Sequence, residues 1–224
     1  MDNEIKKAGV PNAVKSRLPR YYRHLRQLIN EGKLRISSNE LAKRMNVTSS
    51  QIRQDFNYFG GFGQQGYGYN VKLLFGKIGE ILGIQDGFVS VVVGAGNLGR
   101  SIVTVARSKN RSNSVAALFD VSTEMIGRNV MGVPILSLEV FEEFCEREHI
   151  DIVSLTVPDG QAKSVAERIK RTSSIKGVLN FTGVELDLPE RISVENVHIE
   201  DYLMMLCFDI RNNPANIKDQ EEDR

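Results

Sequence analysis

The run Phe88-Val89-Ser90-Val91-Val92-Val93 passes directly into Gly94-Ala95-Gly96-Asn97-Leu98-Gly99, and this junction constrains the fold more than any other feature of the chain. A GxGxxG on its own is weak. Set between a β-branched strand and the helical sequence Leu98 to Ser108, its glycines let the backbone approach a pyrophosphate at a helix N-terminus, which predicts the opening of a dinucleotide-binding sheet. A second strand, Val115 to Asp120, ends in an acid 26 residues after Gly94, close to the roughly 20 expected for a ribose-binding carboxylate. Asp120 is therefore expected to accept the adenosine 2′-hydroxyl. Its charge would repel a 2′-phosphate and no arginine follows until Arg128, so NADH and NAD are the expected cofactors. A surface acid at a strand end is the competing explanation.

Strand signals at Asp151 to Val157 and Ile175 to Asn180 alternate with helical stretches around Leu138 to His149 and Gln161 to Arg171, continuing a doubly wound α/β sheet. Ligands of such sheets lie beyond the strand carboxyl ends. Those ends present Thr156, Val157 and Pro158, then Asn180 and Phe181, assigned to the nicotinamide side, with ordinary strand-end turns as the alternative.

The front of the chain differs in charge. Residues 1 to 80 carry 14 Lys and Arg against 6 Asp and Glu, a net +8, whereas the remainder carries 15 against 22, a net −7. Such a split points to a polyanion meeting only the front half, or to a basic solvated surface. Leu18, Tyr21, Tyr22, Leu25, Leu28 and Ile29 recur as one helical stripe, with Pro19 expected in the first turn and Gly32 at the end. Arg17, Arg20, Arg23 and Arg26 form a basic ridge beside it that could follow a phosphate backbone. Ser37-Ser38-Asn39-Glu40 has capping-box form, Thr48-Ser49-Ser50-Gln51 repeats the signal, and the two short helices they open make a helix-turn-helix.

In the second, reading helix Ile52, Phe56 and Phe59 can face the core. That leaves Ser49, Ser50, Gln51, Arg53, Gln54 and Asn57 as groove candidates. The glycine and aromatic alternation from Phe59 to Val71 is expected to form a hairpin wing, with Gly61, Gln64 and Gln65 available to a neighbouring groove or backbone. No Gly-Lys-Ser/Thr follows, which argues against a P-loop.

The last helical segment, Tyr202 to Ile210, is apolar nearly all round and is expected to be buried on most sides. A helix added after a complete sheet has little core left in its own chain, so insertion into a partner, and hence a homodimer, is expected. Cys145 and Cys207 lack CxxC spacing and read as buried, reduced thiols with no metal role. No apolar run reaches the roughly 20 residues of a membrane span, and the polar start lacks a signal peptide, so a cytoplasmic location without membrane contact is expected.

On these residues the chain resembles the Rex family of redox-sensing transcriptional repressors over nearly its whole length. The reading-helix and wing signature is recognisable in Gln51-Ile52-Arg53-Gln54-Asp55, Phe59-Gly60-Gly61-Phe62-Gly63 and Gly66 to Val71. The cofactor domain is recognisable in Gly94 to Gly99, Phe119-Asp120, Leu155 to Pro158 and Leu179-Asn180-Phe181. The resemblance implies a homodimer with swapped C-terminal helices that binds a palindromic double-stranded DNA operator and leaves it when NADH binds.

Three residues depart from the family's pattern. Gln54 stands where many relatives carry lysine, His198 where an aspartate pairing with Arg23 of the other subunit is expected, and Val105 where some relatives carry tyrosine. Glu200 or Asp201 could replace the aspartate.

The expected architecture is α/β: a winged helix-turn-helix over 1–82, a Rossmann doubly wound sheet over 83–200, a swapped dimerisation helix over 201–214 and a disordered tail over 215–224. An NAD-dependent oxidoreductase is the alternative, since many GxGxxG domains serve hydride transfer. It would need a positioned acid or base, and of His24, His149 and His198 only His198 is a candidate, so a non-enzymatic role is expected.

Overall fold

A computed structural model describes residues 10–60, 62, 67–108 and 114–213. Gly61, Gln64, Gln65 and the tail 215–224 lie outside the described residues. The chain divides into two units, Met1–Asp86 and Gly87–Arg224. No described helix is long and apolar enough to cross a membrane.

In the first unit, α1 spans Asn12–Asn30 and buries Val14, Leu18, Tyr21, Leu25 and Leu28. The helix starts at Asn12, so Pro19 lies inside it and not in its first turn, and Lys15 loses the amide partner its carbonyl would have had. At the other end Gly32 takes φ +73°, Gly32 N–H reaches the Ile29 carbonyl and Lys33 N–H the Leu28 carbonyl, which together close a Schellman motif. Helix α2, Ser38–Met45, opens on a full capping box between Ser37 and Glu40 and ends on Asn46 in the left-handed region. Helix α3, Ser49–Asn57, is capped by the Thr48 hydroxyl, but the reciprocal half of the box is absent because the Gln51 side chain turns elsewhere.

Strand β1, Arg35–Ile36, pairs antiparallel with β2, Tyr69–Asn70, so the described partner of the wing strand comes from before the helix-turn-helix, not from an adjoining hairpin arm. Gly68, at φ +69°, is forced by this pairing, since a Cβ there would sit 2.7 Å from the Ile36 carbonyl oxygen. Helix α4, Val71–Ile81, follows at once, capped by Asn70, and its apolar face joins that of α1 in one core. The wing expected over Phe59 to Val71 thus gives way to a helix at Val71, into which the glycine and aromatic residues lead without a break in the sequence.

The second unit is a seven-stranded sheet. Its strands are β3 (Val89–Val93), β4 (Ser114–Asp120), β5 (Asn129–Val130), β6 (Val133–Ser137), β7 (Ile152–Leu155), β8 (Gly177–Asn180) and β9 (Ser193–Asn196). The order is β5-β6-β4-β3-β7-β8-β9, parallel except for β5. Leaving β5 aside, this is the 3-2-1-4-5-6 order of a Rossmann sheet, with its switch point between β3 and β7. Helices α5 (Asn97–Ser108), α6 (Phe141–Arg147) and α7 (Asp159–Arg171) cover it. Val91 and Val93 enter the core that includes Phe141 and Val165, while Val92 enters the opposite one with Val103. Each face thus takes alternate residues of one strand, as a sheet covered on both sides requires.

Helix α8, Ile199–Arg211, enters no core of its own chain. None of its residues is buried; Tyr202 is 71% and Phe208 68% exposed, and Cys207 is exposed as well. Cys207, expected to be a buried thiol, is thus not buried by its own chain. Cys145 is buried, and burial pushes its thiol up to about 12, leaving it inert at neutral pH.

Candidate functional site

A cleft of about 470 Å³ opens at the sheet's switch point. Its floor is built by close packing of backbone. Gly94 has φ +103°, and a Cβ there would meet the Thr156 carbonyl oxygen at 2.7 Å; a Cβ on Gly99 would collide with the Gly94 carbonyl. The single Thr156 hydroxyl proton is shared between the carbonyls of Val93 at 3.0 Å and Gly94 at 2.9 Å, tying the glycine loop to the end of β7. Gly96 differs from both, because nothing lies within 4 Å of where its Cβ would be. Gly96 immediately precedes the first turn of α5, where unpaired N–H groups of a helix favour an anion.

Asp120, which lines the cleft, ties the glycine loop to the turn after β4. Its Oδ2 accepts the Ala95 N–H at 2.6 Å and its Oδ1 the Ser122 N–H at 2.8 Å. Each oxygen keeps a lone pair, so the carboxylate can still accept from a ligand hydroxyl.

Of the residues expected in the cofactor site, Gly94, Gly96, Leu98, Asp120, Thr156, Val157, Pro158 and Phe181 line this cleft. Ala95 and Gly99 serve its construction, and Asn97 is exposed with its Oδ1 on Arg100. Asn180 is turned away. It is fully buried, its amide nitrogen donates to the Val184 carbonyl and Asn196 Oδ1, and its oxygen accepts from the Thr182 N–H and hydroxyl. Every hydrogen-bonding position of that side chain is used, so it braces the strand end and has nothing left to offer a ligand. Val121, Leu138 and Gln161 also line the cleft and were not anticipated. Only the position of Gln161 in the first turn of α7, beyond a strand end, could have signalled it.

The first unit presents a different surface. On α3, Ser50, Arg53, Gln54 and Asn57 are exposed at helical spacing and form one polar stripe, with Ser49 partly buried beside it. Arg53 rests on the hydroxyls of Ser38 at 3.2 Å and Ser50 at 3.0 Å. The basic ridge of α1 is not uniform. Arg20 donates to the Met45 carbonyl at 2.9 Å, and the Arg26 guanidinium lies 5.1 Å from the Tyr22 ring centre.

Arg17 points inward. Its Nε and Nη2 grip the fully buried Asp55 carboxylate at 2.7 and 2.8 Å, so its fork is not on the outer ridge. Tyr21 Oη donates to the same carboxylate at 2.7 Å and Gln51 Nε2 at 3.1 Å, which draws Gln51 to the flank of the stripe. Burial alone would raise the Asp55 pKa; donation from Arg17, Tyr21 and Gln51 outweighs it and holds the carboxyl below its ordinary value. Asp55 enters the sequence reading only within the reading-helix signature, because an isolated acid in a basic segment carries no sequence signal of burial.

Of the residues that depart from the family's pattern, His198 leads into α8 with Nδ1 3.7 Å from Asp201 Oδ2, and Val105 is 49% exposed on α5.

A helix-turn-helix with an exposed polar stripe, joined in one chain to a Rossmann sheet with an open anion-favouring cleft, defines a class of nucleotide-binding transcription regulators. The redox-sensing transcriptional repressors Rex of Caldanaerobacter subterraneus subsp. tengcongensis and Caldicellulosiruptor saccharolyticus are each 41% identical to the chain, over 203 and 204 residues. Both alignments cover 91% of this chain, with 90% and 93% of the relatives. The chain belongs to the Rex family. Residues 9–57 match the family "Putative DNA-binding protein N-terminus" and residues 85–184 the "CoA binding domain" family. Among solved structures, RSP in complex with β-NAD+ and operator DNA matches with a TM-score of 0.85 at 38% identity, covering 97% of this chain and 99% of that one. RSP in complex with β-NADH matches at 0.84 and 36% identity, covering 96% and 99%.

Proposed function

We propose that the chain is a cytoplasmic, non-enzymatic repressor that binds a palindromic double-stranded operator as a homodimer and releases it when NADH occupies the cleft. One observation carries the reading: the open space at Gly96, before the first turn of α5, lies in the same cleft as the Asp120 carboxylate. A pyrophosphate suits the first and an adenosine ribose hydroxyl the second, and a 2′-phosphate would meet the Asp120 charge. Thr156, Val157, Pro158 and Phe181 are then left for the nicotinamide end, whose reduction turns a planar cation into a neutral ring.

Ser50, Arg53, Gln54 and Asn57 are the base-reading candidates, with Arg20 on α1 as a backbone contact. The exposed apolar face of α8 supports the homodimer, because a surface of that kind in water needs a second copy to cover it. Release requires NADH to favour a state of the dimer that cannot hold DNA; equal affinity for both states would switch nothing. The test is selection of a duplex from a random pool, followed by separate titration of the complex with NADH and NAD. Release by NADH alone is expected, and a complex untouched by saturating NADH refutes the sensor.

A further inference from the structure

We infer that Arg17, Tyr21 and Asp55 form a clamp that positions the reading helix, so that Arg17 governs base selectivity through Asp55 and makes no phosphate contact. This rests on the DNA-binding reading above and goes beyond it, because the basic ridge by itself assigns Arg17 to the phosphate backbone.

The geometry is specific. Arg17 and Tyr21 stand four residues apart on one face of α1, and Gln51 and Asp55 four apart on one face of α3. The Asp55 carboxylate, with no exposed surface, takes four donors: Arg17 Nε, Arg17 Nη2, Tyr21 Oη and Gln51 Nε2. A carboxylate only accepts, and a guanidinium only donates in a fixed planar fork, so the pair fixes direction as well as distance.

Leu18 and Tyr21 of α1 share one apolar core with Ile52 and Phe56 of α3, the Tyr21 and Phe56 rings lying 5.0 Å apart at 59°, and apolar packing of this kind fixes direction less tightly than a charged fork does. A reading helix tolerates little rotation. Turning α3 by about 20° would carry a side-chain tip at roughly 6 Å radius through about 2 Å, enough to break a hydrogen bond to a base edge. Asp55 lies across the helix from Arg53, so the clamp sets the angle at which Ser50, Arg53, Gln54 and Asn57 leave the protein. A buried ion pair seldom adds stability over apolar residues of similar size, which leaves orientation as what this one supplies.

The test uses full-length protein, a duplex selected by the wild type and a scrambled duplex of the same length, each titrated over a range of salt. Arg17→Gln should lose about tenfold on the selected duplex, the weight of one base contact, with no change on the scrambled one and an unaltered salt slope. The double variant Arg17→Met/Asp55→Leu replaces the pair by apolar volume; it should stay folded, bind NADH as wild type does and show the same loss of selectivity. Equal losses on both duplexes with a slope shallower by about one unit would make Arg17 a phosphate contact and overturn the inference. Selectivity retained in both variants would reduce the pair to a packing element and overturn it as well. A wild type without sequence preference would remove the DNA-binding reading and this inference together.

Discussion

Asp120 Oδ2 accepts the Ala95 N–H at 2.6 Å, so the acid expected to read the ribose also holds the glycine loop in place. The two roles respond differently to substitution. Asp120→Asn keeps one acceptor oxygen for Ala95 but removes the charge, so NADH binding should weaken modestly while NADPH binding improves. Asp120→Ala removes both roles, and a charge-assisted hydrogen bond contributes roughly 1.5 to 3 kcal/mol, a ten- to hundredfold loss for NADH. Fluorescence titration of both cofactors on both variants checks this; unchanged affinities would make Asp120 a surface acid.

The glycines of the loop should separate construction from ligand access. Gly99→Ala drives a methyl into the Gly94 carbonyl and should destabilise the second unit by about 1 to 3 kcal/mol, as overpacking does. Gly96→Ala meets open space and should leave the melting temperature unchanged while NADH affinity falls at least tenfold. Calorimetry beside cofactor titration gives both numbers. An unimpaired NADH affinity in Gly96→Ala would place the pyrophosphate elsewhere.

Gln54 sits exposed on the α3 stripe where many relatives of the family carry lysine. Glutamine both donates and accepts and so matches adenine N6 and N7, whereas lysine only donates and suits guanine N7 and O6. Gln54→Lys should move the preference at one operator position from adenine toward guanine by about ten- to hundredfold, leaving NADH affinity alone. Paired duplexes differing at that base decide it. Identical preferences in the two proteins would mean that Gln54 reads no base.

Leu206, 53% exposed near the middle of α8, should be buried in the homodimer. Leu206→Glu places a charge there, and the expected result in sedimentation is a shift from dimer to monomer with operator affinity falling by well over tenfold, since two half-sites are no longer linked. A variant that sediments as wild type would remove α8 from the dimer interface.

Much of the molecule is legible in residue order because its signals are local. A β-branched run ending in GxGxxG, a capping box at Ser37 and Glu40, and an acid closing the next strand each predict a structure from neighbours in sequence, and the described elements lie where those signals fall. Strands β6 and β9 carry no such signal for equally local reasons: β6 has Pro134 within it, where it faces β5, and β9, Ser193–Asn196, is exposed at every residue and shows no apolar alternation.

The sequence by itself determined the Rossmann opening, the helix-turn-helix and the chemistry available to each. Only the tertiary structure decided which side chains remain free to use that chemistry. Asn180 and Arg17 look like ligand-binding groups in sequence, yet one is saturated by Thr182, Val184 and Asn196 and the other is locked on Asp55. The reason is physical: a polar side chain bonds to whatever the fold brings within about 3 Å, and those neighbours lie as far as 38 residues away along the chain.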